Sequence, residues 1–294
     1  MKVTEGLEWW RDVPGGAAWL DSLPSIVDTC AERWSLRLGP ALEGQNVSHV
    51  RAVELPDGTP AVLKINFPDA ESEREPDALR LWDGRGAVKL LGHDESVRAL
   101  LLERCEPGTP LWAIEDDEEA THIAGQALRR IWRAAPDGHR FRSLREESAW
   151  WADKLPADWD ALGGPFERRL VDEAVSACIE LGLDQGDEVV LHQDFHGGNV
   201  LSAKREPWLV IDPKPLVGEP AFDAGSLARD RRWLLGQSGD DARIRRRLDV
   251  LSSELDLDRE RVRRWGIAHA LIWGFSDSKV EADMIESARI LMNA

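Results

Sequence analysis

The spacing of hydrophobic residues near the start of the chain changes from a helical to a strand-like period. In residues 22–38 the apolar positions are three or four residues apart, at Leu23, Ile26, Val27, Cys30 and Trp34. This spacing predicts a helix. After a loop at 39–48, two apolar runs at 49–55 and 61–67 flank the turn sequence Pro-Asp-Gly-Thr. That arrangement predicts a β-hairpin.

The next segments alternate in the same way. Residues 71–82 are rich in charge but keep apolar residues on one face, which predicts a helix. Short apolar runs at 88–91 and 99–102 predict two further strands. A Glu-Pro-Gly-Thr segment at 106–109 then breaks the pattern.

Beyond that break the spacing is mostly helical. One stripe begins at Ile123 and another at Phe166, and three more helical patterns follow residue 215. We therefore predict an α+β protein with two lobes. Residues 1–104 would form a small β-rich nucleotide-binding lobe with an N-terminal helical extension, and residues 105–294 a larger, mostly helical lobe with the catalytic and substrate sites.

Composition narrows the class of partner. The 294 residues carry a net charge of −17, which argues against nucleic acid, since nucleic acids bind basic surfaces. An acidic chain is compatible with a small cationic substrate, although acidity alone also serves solubility. There is no signal-peptide pattern and no apolar run of membrane-spanning length, and the three cysteines are widely separated. These features indicate a cytoplasmic protein with free thiols and no membrane partner.

One segment carries the chemistry. The sequence Leu-His-Gln-Asp-Phe-His-Gly-Gly-Asn-Val-Leu at 191–201 places Asp194 five residues before Asn199, and a second apolar run at 208–211 delivers Asp212. Phosphoryl transfer from ATP uses such a set: one carboxylate receives the acceptor's hydroxyl proton, while an amide oxygen and a second carboxylate bind Mg²⁺. We predict Asp194 as the base and Asn199 and Asp212 as metal ligands. The two glycines would let the backbone turn tightly.

The N-terminal half supplies candidates for binding ATP. Lys64 lies in the strand Ala-Val-Leu-Lys-Ile, where a buried lysine needs a partner, and Glu75 on the next helix is the natural one, with Glu71 and Glu73 as competitors. Residues 44–48 would cover the phosphates with backbone N–H groups and the Ser48 hydroxyl. The hinge at 103–107, which includes Glu103 and Cys105, would offer backbone donors and acceptors to adenine.

A metal hydrolase is the competing hypothesis. His192, Asp194, His196 and Asp212 could bind Zn²⁺ or Mn²⁺. A histidine pair four residues apart chelates best on a helix, however, and the glycines and flanking strands disfavour a helix here. His192 is more simply a structural residue of the loop.

Residues for the acceptor substrate are expected in the helical lobe. The candidates that could line a site for a cation are Asp230, Trp273, Asp277 and Glu281. Asp223 could contact substrate, but we expect it to cap a helix or brace the catalytic loop.

The chain resembles the aminoglycoside phosphotransferases, in particular the streptomycin 6-kinase and hydroxyurea phosphotransferase branch. The resemblance rests on the motif at 191–201, the Asp-Pro-Lys-Pro segment at 212–215 with its continuation to 223, Trp-Asp-Gly-Arg-Gly at 82–86, and Leu-Leu-Leu-Glu-Arg at 100–104. Gln193 and Gly197 depart from the residues common in the family, which puts the substrate in question more than the reaction.

The resemblance implies a protein-kinase-like fold, the use of ATP with Mg²⁺, and transfer of phosphate to a hydroxyl of a small molecule, with streptomycin the first candidate. It implies the same roles for Asp194, Asn199, Asp212, Lys64 and Glu75. A kinase for another metabolite, such as a sugar or an amino alcohol, and a non-catalytic pseudokinase remain alternatives; the four intact catalytic residues argue against the second.

Overall fold

The computed structural model describes residues 4–42, 47–230, 240–276 and 279–294. The chain divides into two compact units, Met1–Gly108 and Thr109–Ala294. The first unit is rich in β-structure and the second is mostly helical.

The first unit is built on one five-stranded antiparallel sheet in the order β1-β2-β3-β5-β4. A short 3₁₀ helix, Glu5–Asp12, precedes the first α-helix. The α-helices and strands of this unit are α1 (Gly16–Trp34), β1 (Arg37–Ala41), β2 (Ser48–Glu54), β3 (Pro60–Asn66), α2 (Glu75–Trp82), β4 (Leu90–Asp94) and β5 (Ala99–Glu103), and a second 3₁₀ helix, Glu95–Val97, lies between β4 and β5.

The core of this unit forms between α1 and one face of the sheet. Leu20 and Leu23 of the helix are buried in one cluster with Leu63 and Ile65 of β3, whose alternation places every second side chain on the same face. Lys64, between them, points to the opposite face. Burial of this apolar area holds the sheet in place, and the sheet holds Lys64.

The predicted hairpin is confirmed: β2 and β3 pair from Ser48↔Asn66 to Glu54↔Pro60. The first helix was predicted to span residues 22–38, but it begins at Gly16 and ends at Trp34. Residues 37–41, predicted partly as helix and partly as loop, form the edge strand β1. Pairing with β2 decides this segment, and its own apolar pattern does not reveal it.

Among the residues that the structure describes, the second unit contains seven α-helices and two 3₁₀ helices, Leu111–Ala113 and Gly197–Asn199. In chain order its α-helices and strands are α3 (Asp117–Ile131), β6 (Arg142–Ser143), α4 (Leu144–Ala161), α5 (Arg168–Leu183), β7 (Val189–Leu191), β8 (Val200–Ser202), β9 (Trp208–Val210), β10 (Leu216–Gly218), α6 (Ala221–Ala228), α7 (Asp240–Leu255), α8 (Arg259–Gly274), β11 (Phe275–Ser276), β12 (Lys279–Val280) and α9 (Ala282–Met292). None of the described helices could cross a bilayer, because none is long and apolar enough.

Four α-helices follow residue 215, where the sequence predicted three, and the shortest of them is α6. This helix is buried at every position and packs directly on α8. A methyl group on Gly225 would lie 2.6 Å from the backbone nitrogen of Gly266, so the two helix backbones approach as closely as glycine allows. The contact places α8 beside the predicted catalytic motif at 191–201.

Short strands frame that segment. β7 pairs antiparallel with β10, and β8 pairs with β9 in a hairpin. The loops after β7 and β9 are thereby fixed at both ends, and they carry the residues that the sequence singled out.

Candidate active site

In the first unit, Lys64 and Glu75 form a closed ion pair. The Lys64 Nζ lies 2.7 and 2.6 Å from the two carboxylate oxygens of Glu75. Both side chains are buried, with exposed fractions of 6% and 1%. Glu73, one of the competing partners, instead pairs with Arg74. The pairing expected from the sequence is present, and its role in binding phosphate is taken up below.

Two further polar residues complete this pair. Asn66 donates from Nδ2 to Glu75 Oε2 at 2.7 Å, and the Ser48 hydroxyl donates to Asn66 Oδ1 at 2.7 Å. A buried charge is stabilised when its remaining hydrogen-bonding sites are satisfied in this way. Asn66 therefore orients Glu75, and Ser48 orients Asn66.

Ser48 was predicted to lie in a phosphate-covering loop, and this location is wrong. Ser48 is the first residue of β2 and is buried, with its hydroxyl directed into the network. Residues 44–46 of that loop lie outside the described part of the chain. Strand pairing draws Ser48 inward, because it is directly opposite Asn66.

Glu103 and Cys105 lie at the end of β5. The backbone N–H of Glu103 donates to the Lys89 carbonyl, and its carboxylate accepts from the Lys89 N–H at 3.0 Å. A contact between adenine and the Glu103 N–H is therefore not supported. Cys105 is half-buried and does not form a disulfide.

In the second unit, Asp194 lies in the loop after β7. Its side chain is 18% exposed, with one oxygen 3.3 Å from the Lys214 Nζ and the other 3.9 Å from His196 Nε2. Asn199 donates from Nδ2 to the Asp194 carbonyl at 2.9 Å. This orientation turns the amide oxygen of Asn199 away from the Asp194 carbonyl, as a cation ligand requires.

Asp212 follows β9 and is brought next to Asn199 by the hairpin. The N–H of Ile211 donates to the Asn199 carbonyl at 3.0 Å, so Asp212 is one residue from that contact. Both residues offer hard oxygen atoms, the donors that Mg²⁺ prefers. The donor set thus fits a magnesium ion held together with phosphate oxygens.

Positive φ angles mark the two non-glycine residues at the turns of this site, Gln193 (70°) and Asp212 (58°). Left-handed backbone is strained for such residues and persists only where the surroundings hold it. The two motif glycines were expected to supply the tight turn, but neither has a positive φ. Gly198 is required for another reason, since a methyl group there would lie 2.5 Å from the Trp112 ring.

The buried carboxylate of Asp223 holds the backbone of the loop that carries Asp194. Its carboxylate accepts hydrogen bonds from the N–H groups of His192 and Gln193, at 2.9 and 2.8 Å, and from Trp132 Nε1 at 3.0 Å. The residue is fully buried, and burial raises its pKa to about 6, against the lowering effect of these donors. Of the roles left open by the sequence, the brace is the one present.

A second support reaches Gln193 from α8. His269 Nε2 donates to the Gln193 carbonyl at 2.7 Å, while His269 Nδ1 accepts from Arg229 Nε at 2.9 Å. Burial lowers the pKa of His269 well below its ordinary value, which agrees with a neutral ring that accepts at Nδ1. The strained residue before Asp194 is therefore held at its N–H and at its carbonyl.

The loop histidines are engaged within the protein. His192 Nε2 donates to the Ile211 carbonyl at 2.8 Å, and His196 Nδ1 accepts from the Gly198 N–H at 3.1 Å. Within the described ranges, no group of three or more His, Cys, Asp or Glu side chains is placed to hold a metal ion. The hydrolase hypothesis required both rings as ligands, and the geometry does not favour it.

Asp230 was predicted to contact substrate, and it also anchors the loop. One carboxylate oxygen accepts from Trp112 Nε1 at 2.9 Å and from the Gly197 N–H at 3.0 Å. Trp112 in turn stacks on the His196 ring, with centroids 4.9 Å apart. Trp112 gave no signal in the sequence, because it belongs to no motif and is distant along the chain from His196.

A cavity of about 450 Å³ opens beside Asp194 within the second unit. Three predicted substrate residues line it, namely Asp230, Trp273 and Glu281. The fourth, Asp277, lies outside the described residues. The wall also contains residues that were not predicted, which are Trp112, His196, Arg229, Asp283, Met284 and Ser287. Four of the lining residues are carboxylates and one is an arginine, and two of the carboxylates, Asp194 and Glu281, also pair with Lys214 and Lys279.

The charge around Asp194 sets its protonation. Burial on its own would raise the pKa of this carboxyl, but the nearby charges of Lys214 and Arg229 outweigh that effect, and the pKa lies below its ordinary value. Asp194 is therefore a carboxylate near neutral pH, as a group that must accept a proton needs to be.

Comparison with known proteins agrees with these sites. Residues 33–279 match the family model described as aminoglycoside/hydroxyurea antibiotic resistance kinase. A streptomycin 6-kinase from Streptomyces griseus is 40% identical over 268 residues, covering 89% of this chain and 86% of the relative. A hydroxyurea phosphotransferase from Kitasatospora aureofaciens is 39% identical and covers 90% and 78%.

Solved structures show the fold. An aminoglycoside phosphotransferase from Streptomyces rimosus, solved in complex with ADP and streptomycin, aligns with a TM-score of 0.58 at 18% identity, covering 86% of this chain and 99% of that chain. The protein-kinase-like α+β fold is thus confirmed. Together with the family match and relatives near 40% identity, it establishes that this chain belongs to the aminoglycoside/hydroxyurea antibiotic resistance kinase family.

Proposed function

We propose that the protein transfers the γ-phosphoryl group of ATP to a hydroxyl group of an aminoglycoside, with streptomycin as the first candidate. One observation carries the proposal: the Asp194 carboxylate opens on a cavity whose wall is acidic. A hydroxyl group placed there would meet a base, and the cationic groups of an aminoglycoside would meet carboxylates. Relatives near 40% identity are named streptomycin 6-kinases.

The reaction assigns a role to each group on the loop. Asp194 orients the acceptor hydroxyl and receives its proton as the oxygen attacks the γ-phosphorus. The bond from the γ-phosphorus to the β–γ bridging oxygen breaks, and ADP leaves with that electron pair. Asp223 and His269 keep the backbone of residues 192–193 in place, so Asp194 is preorganised before either substrate binds.

Asn199 and Asp212 would hold Mg²⁺. When bound, the ion would neutralise negative charge on the phosphate oxygens. The Lys64 ammonium, fixed by Glu75, would bind phosphate in the first unit, and the end of β5 near Cys105 would contact adenine through backbone groups other than the Glu103 N–H. Cytoplasmic location is part of the proposal, because ATP and reduced thiols are both found there.

The acidic wall also separates the two main substrate candidates. Hydroxyurea is small and neutral, so it gains nothing from Glu281 and Asp283. An aminoglycoside has several positive charges and is large enough to span the cavity. A relative named hydroxyurea phosphotransferase nevertheless keeps the neutral substrate as the second candidate.

The test is ADP release from ATP with and without Mg²⁺, in the presence of streptomycin, other aminoglycosides, hydroxyurea and simple sugars. Release stimulated by streptomycin and dependent on Mg²⁺ is the expected result. Stimulation by hydroxyurea alone would favour the second candidate. Absence of stimulation by every acceptor, in an enzyme that binds ATP, would refute the substrate assignment.

A further inference from the structure

Lys214 is held beside the catalytic loop by its own backbone. It lies between Pro213 and Pro215, and its N–H donates to the His192 carbonyl at 3.0 Å. A residue that precedes proline is restricted to extended conformations, and proline fixes its own φ. Leu216 then pairs with Leu191 as β10 begins. The backbone on both sides of Lys214 is therefore fixed, and the position of its Cα is fixed with it.

The side chain ends at the proposed base. Lys214 Nζ is 3.3 Å from Asp194 Oδ2, and the two side chains are 16% and 18% exposed. The distance is longer than a charge-assisted hydrogen bond, and neither side chain is fully enclosed. Because Asp194 is part of the cavity wall, an acceptor that binds Asp194 must arrive next to this ammonium group.

Two other side chains near Asp194 are held by contacts of their own. Arg229 is buried and donates to His269 Nδ1 and to the Met284 sulfur. His196 is 3.9 Å from Asp194 and stacks on Trp112. Lys214 differs from both, because its four-carbon chain can turn its ammonium group from one anion to another while the backbone stays fixed.

Distances place the transferring phosphoryl group within reach. An acceptor hydroxyl lies about 2.6–3.2 Å from the carboxylate that takes its proton. The attacked phosphorus lies about 3–3.5 Å beyond the hydroxyl oxygen in a reactive geometry. The phosphorus would therefore lie within about 7 Å of Asp194, and the Lys214 ammonium is 3.3 Å from the same carboxylate. Charge on the equatorial phosphoryl oxygens is what catalysis of phosphoryl transfer must stabilise.

We propose that Lys214 is a catalytic cation that exchanges partners during the reaction. In the free enzyme it pairs with Asp194, and in the complex with both substrates its ammonium group binds an oxygen of the γ-phosphoryl group. The acceptor oxygen forms its bond to phosphorus while the bond to the bridging oxygen breaks, the acceptor proton passes to Asp194, and Lys214 keeps its three protons throughout. This inference rests on the proposed phosphotransfer at Asp194.

The test compares Lys214→Met with Lys214→Arg, using Lys204→Met as the matched control, since Lys204 is an exposed lysine of the same unit. For Lys214→Met we expect kcat to fall about 10²–10³-fold, as for loss of one group that stabilises transition-state charge, with KM for either substrate changed less than about threefold. Lys214→Arg should recover at least about tenfold of that loss. Lys204→Met should match the wild type.

Chemical rebuilding of the amine tests the charge itself. Lys214→Cys treated with 2-bromoethylamine regains an ammonium group at nearly the length of lysine, and its kcat should rise about tenfold or more. Wild type treated identically controls for Cys105, since Cys30 and Cys178 are buried. Recovery after this treatment supports the inference even if arginine is too large for the position.

Several results would overturn the inference. They are a kcat for Lys214→Met within about threefold of wild type, a loss confined to KM, and failure of both arginine and the rebuilt amine to restore turnover. The wild-type sample reports separately on the proposed function. If it phosphorylates no acceptor, the proposed function fails and this inference fails with it.

Discussion

The two units each contain a lysine–carboxylate pair, and the pairs differ in the distance between their charged atoms and in their burial. Lys64 and Glu75 are bonded through both carboxylate oxygens at 2.6–2.7 Å and are almost fully buried. Lys214 and Asp194 are 3.3 Å apart and partly exposed on a cavity wall. Both pairs join an ammonium group to a carboxylate. The geometry of the first pair is fixed by burial, whereas the second pair is accessible to a substrate in the cavity.

The difference follows from the elements that carry the pairs. Lys64 is in the middle of a five-stranded sheet and Glu75 begins a helix, so sheet pairing and core packing fix both ends. Asp194 and Lys214 lie on loops whose backbones are held by Asp223, His269 and the His192 carbonyl. A closed pair supports a binding geometry, whereas an open pair leaves its charges available for chemistry.

Replacing Asp194 by Asn should have the largest effect. The amide keeps the shape of the side chain but cannot take the acceptor's proton, so turnover should fall about 10²–10⁴-fold. ATP affinity and the thermal unfolding midpoint should stay close to the wild-type values. Steady-state kinetics together with calorimetric ATP titration measure both, and normal turnover in this variant would remove Asp194 from the mechanism.

Lys64→Met tests the closed pair. It leaves Glu75 as an unpaired buried charge, which should cost about 3–5 kcal/mol of unfolding free energy, and it should also weaken productive ATP binding. Urea unfolding monitored by tryptophan fluorescence gives the first quantity. Lys214→Met, the matched change in the open pair, should cost less than about 1 kcal/mol.

The double variant Lys64→Met/Glu75→Leu separates stability from binding. Removing both charges should restore much of the lost stability while ATP binding stays weak. If the double variant bound ATP as well as the wild type, Lys64 would have only a structural role.

Asp223→Asn tests the support beneath the open pair. An amide nitrogen in place of one carboxylate oxygen would face an N–H group of the loop, and the lost hydrogen bonds should cost about 1–3 kcal/mol. Turnover should fall with it, because Asp194 would lose its fixed position. Asp187→Asn, at an exposed site before β7, is the control in the same unfolding and kinetic assays, and equal behaviour of the two variants would argue against the brace.

The smallest effect is expected at the edge of the cavity. Glu281→Gln with Asp283→Asn should raise the KM for streptomycin a few-fold, because partly exposed charge pairs contribute about 1 kcal/mol or less each. The difference from wild type should shrink at high salt, where exposed charges are screened. Glu286→Gln, on the same helix but away from the cavity, should leave the KM unchanged.

The sequence alone determined the local chemistry. The hairpin carrying Lys64, the helix carrying Glu75, and the two loops with Asp194, Asn199 and Asp212 could all be predicted from short-range patterns, because turn residues and apolar periods act within a few positions. The helix was predicted over residues 71–82 and begins at Glu75. The acidic candidates Asp230 and Glu281 came from the same local reading, and the structure places both on one cavity wall.

Only the tertiary structure decided which residues support that chemistry. Ser48 is drawn into the network by strand pairing, Trp112 stacks on His196 across more than eighty positions of sequence, and His269 reaches Gln193 from a helix that is distant along the chain. The open geometry of Lys214 and Asp194 is likewise set by the pairing of β7 with β10. Such contacts depend on how the whole chain packs, and no local pattern of hydrophobic and polar residues encodes them.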